Sequence, residues 1–239
     1  MEKVFKIFVD FDGTITREDT GDAIFSKFGH TETVQQVISD LLGDRISAKD
    51  CWLKLCESVG SINKNELDNF ILGIEIDTTF HSFTEYCKKN NFDMFILSDG
   101  FDYYINIILQ REKLGFIPVF SNKLEIDNKN KLTPSFPFYD SGCISSANCK
   151  RNHIINNSAD DDFTVFIGDG NSDKYTVHFC DFVFAKDDLL KYCERERISY
   201  FPFNNFNDVM DRMEILRQKK RLKKRHQAEL KRRNVYIQE

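Results

Sequence analysis

The sequence predicts an α/β fold: a parallel sheet with helices on both faces and an all-helical segment inserted after the first strand. Three observations predict it. Short apolar runs of strand length alternate with stretches of helical periodicity, the order that parallel pairing requires. The stretch 21–72 shows helical periodicity alone and offers no strand to pair. Three of the apolar runs end in carboxylates, at the sheet edge where open parallel sheets present ligand-binding groups.

Residues 5–9 form the first short buried strand and lead into Asp10-Phe11-Asp12-Gly13-Thr14. In 21–72, Val34, Val37, Ile38, Leu41 and Leu42 recur at helical spacing, as do Trp52, Leu53, Leu55, Cys56 and Val59. Gly29, Gly43 and Gly60 mark the helix ends. A helix is expected over 79–89, a strand over 94–97, then Ser98-Asp99-Gly100 and a helix near 102–112. A strand over 119–121 and a hairpin over 123–133, turning at 127–130, come next. A loop through Pro134, Pro137 and Gly142 leads to a helix near 149–157, and the strand 163–167 ends in Gly168-Asp169-Gly170. Short strands at 182–185 and 200–203 are each followed by a helix. The expected organisation is a Rossmann-like core from 1–18 and 75–211, a helical cap over 19–74, and a basic tail over 212–239.

Composition narrows the function classes. A chain of 239 residues, 41% hydrophobic and 30% charged, is not disordered throughout and holds one well-cored domain with a smaller insert. The 23 phenylalanines read as core filling. No apolar run reaches the length of a membrane-spanning helix, and the first residues lack a signal-peptide pattern. With seven loosely spaced cysteines, the expected location is the reducing cytoplasm. Between Arg212 and Arg233, eleven Lys and Arg stand against two Glu, a balance of +9, and the overall charge of −5 leaves −14 on the rest. This tail is expected to be a solvated helix resting on the acidic body or on a second subunit. Docking to nucleic acid or an anionic membrane is the sharper alternative. Sparse Leu216, Leu222 and Leu230, and no aromatic residue before Tyr236, weigh against it.

The strand-end residues carry the chemistry. Asp10 and Asp12, then Ser98 and Asp99, then Asp169 are delivered to one sheet edge. Ionised carboxylates that close together repel and need a cation. An all-oxygen donor set suits Mg2+, which bridges a few carboxylates to a phosphate. Asp169, Asn171 and Asp173 begin like a calcium loop, but Lys174 stands where Gly is required and Cys180 where the closing Glu belongs. No GxxxxGK phosphate loop is present. Cys143, Cys149 and His153 lack a fourth ligand in sequence, which disfavours structural zinc.

DFDGT, ILS, a later lysine and GDGNSD together resemble, in order, the four motifs of the haloacid dehalogenase-like phosphatases. The helical insert after the first motif is similar to the small cap of the phosphoserine phosphatase subgroup. Within it, DFDGTITRED, SDGFDYYI, CISSANCK and CDFVFAKDDLLKYC most resemble the methionine-salvage phosphatases acting on hydroxy-keto-methylthiopentenyl phosphate. Phosphoethanolamine and phosphocholine phosphatases share several of these features, and SDG, where the salvage enzymes tend to have SGG, resembles them more.

The resemblance implies a magnesium-dependent phosphomonoesterase acting on a small phosphorylated metabolite. Asp10 is then the nucleophile, forming an aspartyl-phosphate, and Asp12 the general acid and base, its pKa raised by crowded carboxylates. Mg2+ is held by Asp10, the Asp12 backbone carbonyl and Asp169. Asp173 holds a metal-bound water or orients Lys150. Ser98 and Lys150, with Asp99 and Gly100, take the phosphoryl group, and Gly13 permits close backbone approach. Lys123, Lys131 and Arg151 compete with Lys150 for the lysine role. Asp19 and Asp22 are expected at the substrate, with Asp99 in reach of a cationic head group. Helix capping is the structural alternative for Asp19 and Asp22. Phosphotransfer on the same machinery and a non-catalytic binding protein docking through its tail are the competing functions.

Overall fold

The computed structural model describes residues 3–143 and 146–238. Among them, seven strands stand in the order β4-β3-β2-β1-β5-β6-β7. The strands are β1 (Phe5–Val9), β2 (Asp93–Phe101), β3 (Val119–Ile126), β4 (Leu132–Ser135), β5 (Phe163–Gly168), β6 (Phe182–Ala185) and β7 (Phe201–Pro202). β1 pairs in parallel with β2 and β5, β5 with β6, and β6 with β7, while β3 and β4 form an antiparallel hairpin. The chain is thus a mostly parallel, Rossmann-like α/β sheet with helices.

By its contacts the chain divides into two compact units, Met1–Ile15 with Ile76–Leu97 and Lys150–Glu239, and Thr16–Glu75 with Ser98–Cys149. In the first unit, Phe5, Ile7, Phe8 and Val9 of β1 are fully buried, as a central strand covered on both faces requires. Much of the phenylalanine content goes into this core. Phe80 and Phe83 of α5 (Thr79–Lys89) meet Phe206 of α9 (Phe206–Gln218) at ring separations of 4.9 and 5.2 Å. Phe163, Phe182 and Phe201 form a ladder across β5, β6 and β7 at 6.1 and 6.5 Å.

The second unit holds the predicted helical segment as α1 (Thr20–Phe28), α2 (Thr31–Leu42), α3 (Ala48–Ser58) and α4 (Lys64–Ile71). Asp19, Ser47 and Asn63 cap α1, α3 and α4, each side chain accepting from a backbone N–H of the first turn. Gly29 and Gly43 close α1 and α2. This unit also takes α6 (Asp102–Arg111) and the β3–β4 hairpin. Ile144 and Ser145 of the CISSANCK segment lie outside the described residues.

Three expected elements differ. β3 runs unbroken over Val119–Ile126, where a strand over 119–121 and a separate hairpin arm from 123 are expected. β2 runs on through Ser98, Asp99 and Gly100, where the apolar pattern predicts a strand ending at Leu97. The tail is not one helix: α9 ends at Gln218 and α10 spans His226–Gln238. Six of the seven residues 219–225 are cationic, and like charges at helical spacing disfavour the helix there. α7 (Lys150–Asn156), α8 (Asp187–Arg195) and two 3-10 turns, Asn171–Asp173 and Thr176–Phe179, complete the first unit.

Candidate active site

Strand register builds the site. Val9 stands opposite Ile96 of β2 and Ile167 of β5, so β1 and β5 end together. The Asp10 N–H donates to the Ile167 carbonyl at 2.9 Å, continuing the ladder by one residue. Asp10 therefore leaves β1 beside the point where β5 delivers Asp169. The chain then turns through Asp12 and Gly13. Gly13 has φ +74°, and a Cβ there would lie 2.5 Å from an Asp169 carboxylate oxygen. The absent side chain is what lets that carboxyl in. Thr14 Oγ1 donates to Asp169 Oδ1 and fixes it. A Cβ at Gly168 would run into the Asp173 carboxylate in the same way.

Lys150, first residue of α7, is fully buried yet charged. Its ammonium donates to Asp10 Oδ1 at 2.5 Å, to Asp173 Oδ1 at 2.6 Å and to Ser172 Oγ at 3.0 Å. Three donors meet three acceptors, which is what makes a buried lysine tolerable. The other oxygen of Asp173 accepts from the backbone N–H groups of Asp169 and Gly170, both at 3.2 Å. Of the four cationic residues open to the lysine role from the sequence, Lys150 is the one whose ammonium lies between Asp10 and Asp173. Ser172 is a further partner of Lys150 that the four motifs do not mark. Its place between Asn171 and Asp173 in GDGNSD was the available signal.

The carboxylates are crowded. Asp10, Asp169 and Asp173 each place an oxygen within 4.8 Å of the others, the one such His/Cys/Asp/Glu group among the described residues. Burial, then the charges of Asp173 and Asp169, hold the Asp10 pKa well above the usual carboxylate range, with Lys150 pulling against them. Burial and Asp173 push Asp169 up to about 7. One ammonium thus faces three carboxylates, and the remaining charge suits a hard divalent cation bound through oxygen. The donor set fits Mg2+. Cys143, Cys149 and His153 form no comparable group among the described residues.

In the second unit, Ser98 is fully buried, and its Oγ accepts from the Gly100 N–H at 2.9 Å. Asp99 has a scaffolding role. Its Oδ1 accepts from Ser146 Oγ at 2.8 Å and from the N–H groups of Ala147 and Asn148 at 2.6 and 2.7 Å, and its Oδ2 accepts from Trp52 Nε1 at 3.3 Å. A carboxylate so engaged clamps the 146–148 loop to β2 and α3, work quite different from holding a phosphate. Nothing in the sequence pairs Asp99 with these partners. Asp19 caps α1 by accepting from the Asp22 N–H at 2.8 Å. Asp22 keeps solvent-exposed surface, yet partial burial and the Asp19 charge push its pKa up to about 6.

Comparison with known proteins agrees with this geometry. Residues 5–193 match the family described as "Putative Phosphatase". The chain belongs to this family. It is a phosphomonoester hydrolase. The chain is 31% identical over 217 residues to 2-hydroxy-3-keto-5-methylthiopentenyl-1-phosphate phosphatases of Bacillus cereus and Bacillus thuringiensis, covering 88% of this chain and 96% of each relative. Among solved structures, a phospho-aspartyl intermediate analogue of phosphoserine phosphatase superposes with a TM-score of 0.67 at 20% identity, covering 89% of this chain and 99% of that one. A substrate-bound phosphoserine phosphatase gives 0.68 at 18%, covering 89% and 99%. These two establish the fold. No described helix is long and apolar enough to cross a membrane.

Proposed function

We propose that this phosphatase is magnesium-dependent and hydrolyses 2-hydroxy-3-keto-5-methylthiopentenyl-1-phosphate through a phosphorylated Asp10. The Lys150 bridge between Asp10 and Asp173 is the observation that carries the mechanism. Identity of 31% across nearly the full length of the relatives supports the substrate.

Asp10 is the nucleophile because it follows β1 with one oxygen held by Lys150 and the other available to attack phosphorus in line. Lys150 neutralises charge that develops on the transferring phosphoryl oxygens. Asp173 anchors Lys150 so that the ammonium is preorganised, and its backbone contacts fix the Asp169 turn. Asp12, two residues from the nucleophile and half-buried, protonates the leaving oxygen and then takes a proton from the attacking water. Asp10, Asp169 and the Asp12 carbonyl would hold Mg2+. Bound there, the ion would supply positive charge that keeps Asp10 ionised against its raised pKa and would polarise the phosphoryl group. Seven buried, free cysteines support a reducing cytoplasmic location.

The crowded Asp19–Asp22 pair favours a second reading, an ester carrying an ammonium group such as phosphoserine, phosphoethanolamine or phosphocholine. Measuring kcat/KM with Mg2+ on these three and on the salvage ester separates the two. The salvage ester is expected to be fastest. An amine-bearing ester that outruns it would overturn the substrate assignment, and no release from any of them would return the chain to a binding role.

A further inference from the structure

The family match ends at residue 193, yet α10 lies beyond it and packs on the 3-10 turn Thr176–Phe179. That turn contacts both elements that carry the Lys150–Asp173 pair: α7, which begins with Lys150, and the turn Asn171–Asp173. Two arginines from the tail hold it from behind. Arg225 donates through Nη2 to the Val177 carbonyl, and its backbone N–H donates to Asp181 Oδ1 at 3.2 Å. Arg232 donates through Nη1 to the Phe179 carbonyl and to Thr164 Oγ1 at 3.1 Å. Its Nη2 meets both Asp181 oxygens at 3.2 and 3.3 Å. Asp181 in turn accepts from the Thr164 N–H and hydroxyl, both at 3.0 Å.

From this arrangement we infer that Arg232 is a positioning residue for phosphate hydrolysis, acting through the Thr176–Phe179 turn on the Lys150–Asp173 pair. The guanidinium fork ties three things at once: the orphan carbonyl at the end of a 3-10 turn, the strand β5 that leads into Asp169, and the buried Asp181 carboxylate. Its side chain is 11% exposed and that of Asp181 is fully buried, so water does not substitute for the contact. The turn in question begins three residues after Asp173. Releasing it frees both supports of the site lysine, and a misplacement of about 1 Å far from the chemistry costs on the order of 100-fold in rate. The basic tail thus has a structural task in catalysis beyond a solvated run of charge.

The inference rests on the hydrolytic role proposed for Asp10 and Lys150, and the test separates the two. Full-length R232M, R232K and V209A are compared with the wild type for hydrolysis of an aryl phosphate with Mg2+, below their melting temperatures. Amide exchange across 165–175 is followed in parallel. Val209 is buried on α9, which packs on α5, and controls for lost stability alone. In R232M, kcat is expected to fall about 10- to 100-fold with KM changed less than about threefold, and exchange at 169–173 to rise. R232K, which keeps charge without the fork, falls between, and V209A matches the wild type. An R232M kcat within about twofold of the wild type, or an equal loss in V209A, overturns the inference. If the wild type releases no phosphate, the hydrolytic reading fails by itself and exchange decides: unchanged exchange at 169–173 in R232M rejects the positioning role. Should R232M not fold, R232K, which keeps the charge and loses the fork, takes its place. An R232K enzyme with wild-type kcat and wild-type exchange at 169–173 is then the refuting result.

Discussion

Asp169→Asn tests the crowding at the site directly. Burial and the Asp173 charge carry the Asp169 carboxyl from its ordinary 3.8 to about 7. A carboxyl raised in the fold withdraws stability as pH climbs. At about pH 4 and below, both folded and unfolded chains hold the proton and nothing is lost. Between about pH 4 and 7 the unfolded chain releases it first, and above about pH 7 the full penalty applies. At 1.36 kcal/mol per tenfold step in proton affinity, that penalty is at most about 4 kcal/mol in the metal-free protein. For a chain of this size each kcal/mol moves the melting temperature by roughly 2–4 °C, so about 10 °C is at stake. The assay is thermal melting of wild type and D169N in chelator from pH 5 to 8, then with Mg2+. In chelator, D169N should melt progressively higher than wild type as pH rises, by about 10 °C at pH 8. Mg2+ should raise the wild type and leave D169N nearly unmoved. A difference that stays flat across that range, or a D169N protein less stable than wild type at pH 8 in chelator, would refute the reasoning.

Three further perturbations follow from named contacts. Lys150→Met leaves buried carboxylates without their ammonium, so it should cost about 3–5 kcal/mol of stability and at least about 100-fold in kcat; retention of activity within about tenfold of wild type counts against the Lys150 role. Gly13→Ala strains a residue at φ +74° and drives a methyl into Asp169. It should cost on the order of 1–3 kcal/mol by melting and lose most hydrolysis, whereas a fully active G13A would show that Asp169 does not need that space. Burial pushes the thiols of Cys51, Cys56, Cys87 and Cys180 up to about 12 and that of Cys193 to about 11. The native protein should therefore resist a thiol reagent at pH 8 and react at all seven cysteines once denatured.

The strands and the helical insert were legible because their signal is apolar periodicity: β1, α5 and β6 fall at the bounds the pattern predicts. β2 outran its pattern because the continuation is polar. The carbonyls of Ser98 and Asp99 take side-chain amides of Asn148 and Asn122, at 2.8 and 2.6 Å, contacts that no local rule anticipates. The tail's composition favours one helix, and its break comes from charge density at 219–225. The strand-end aspartates were visible as motifs. The meeting of Lys150 with Asp10 joins residues 140 apart in sequence, and only the fold brings them together. Asp99 and Arg232 show the opposite limit, since their partners depend on loops and turns whose course the pattern does not set.

The claim at the centre is that Asp10 becomes phosphorylated. Wild type and D10N are mixed with a radiolabelled phosphate ester and Mg2+, quenched in acid within one turnover, and digested. If Asp10 is the nucleophile, the wild type carries alkali-labile label on the peptide containing Asp10, and D10N carries none and releases no phosphate. Phosphate release by the wild type with no label on that peptide, or sustained hydrolysis by D10N, would contradict it.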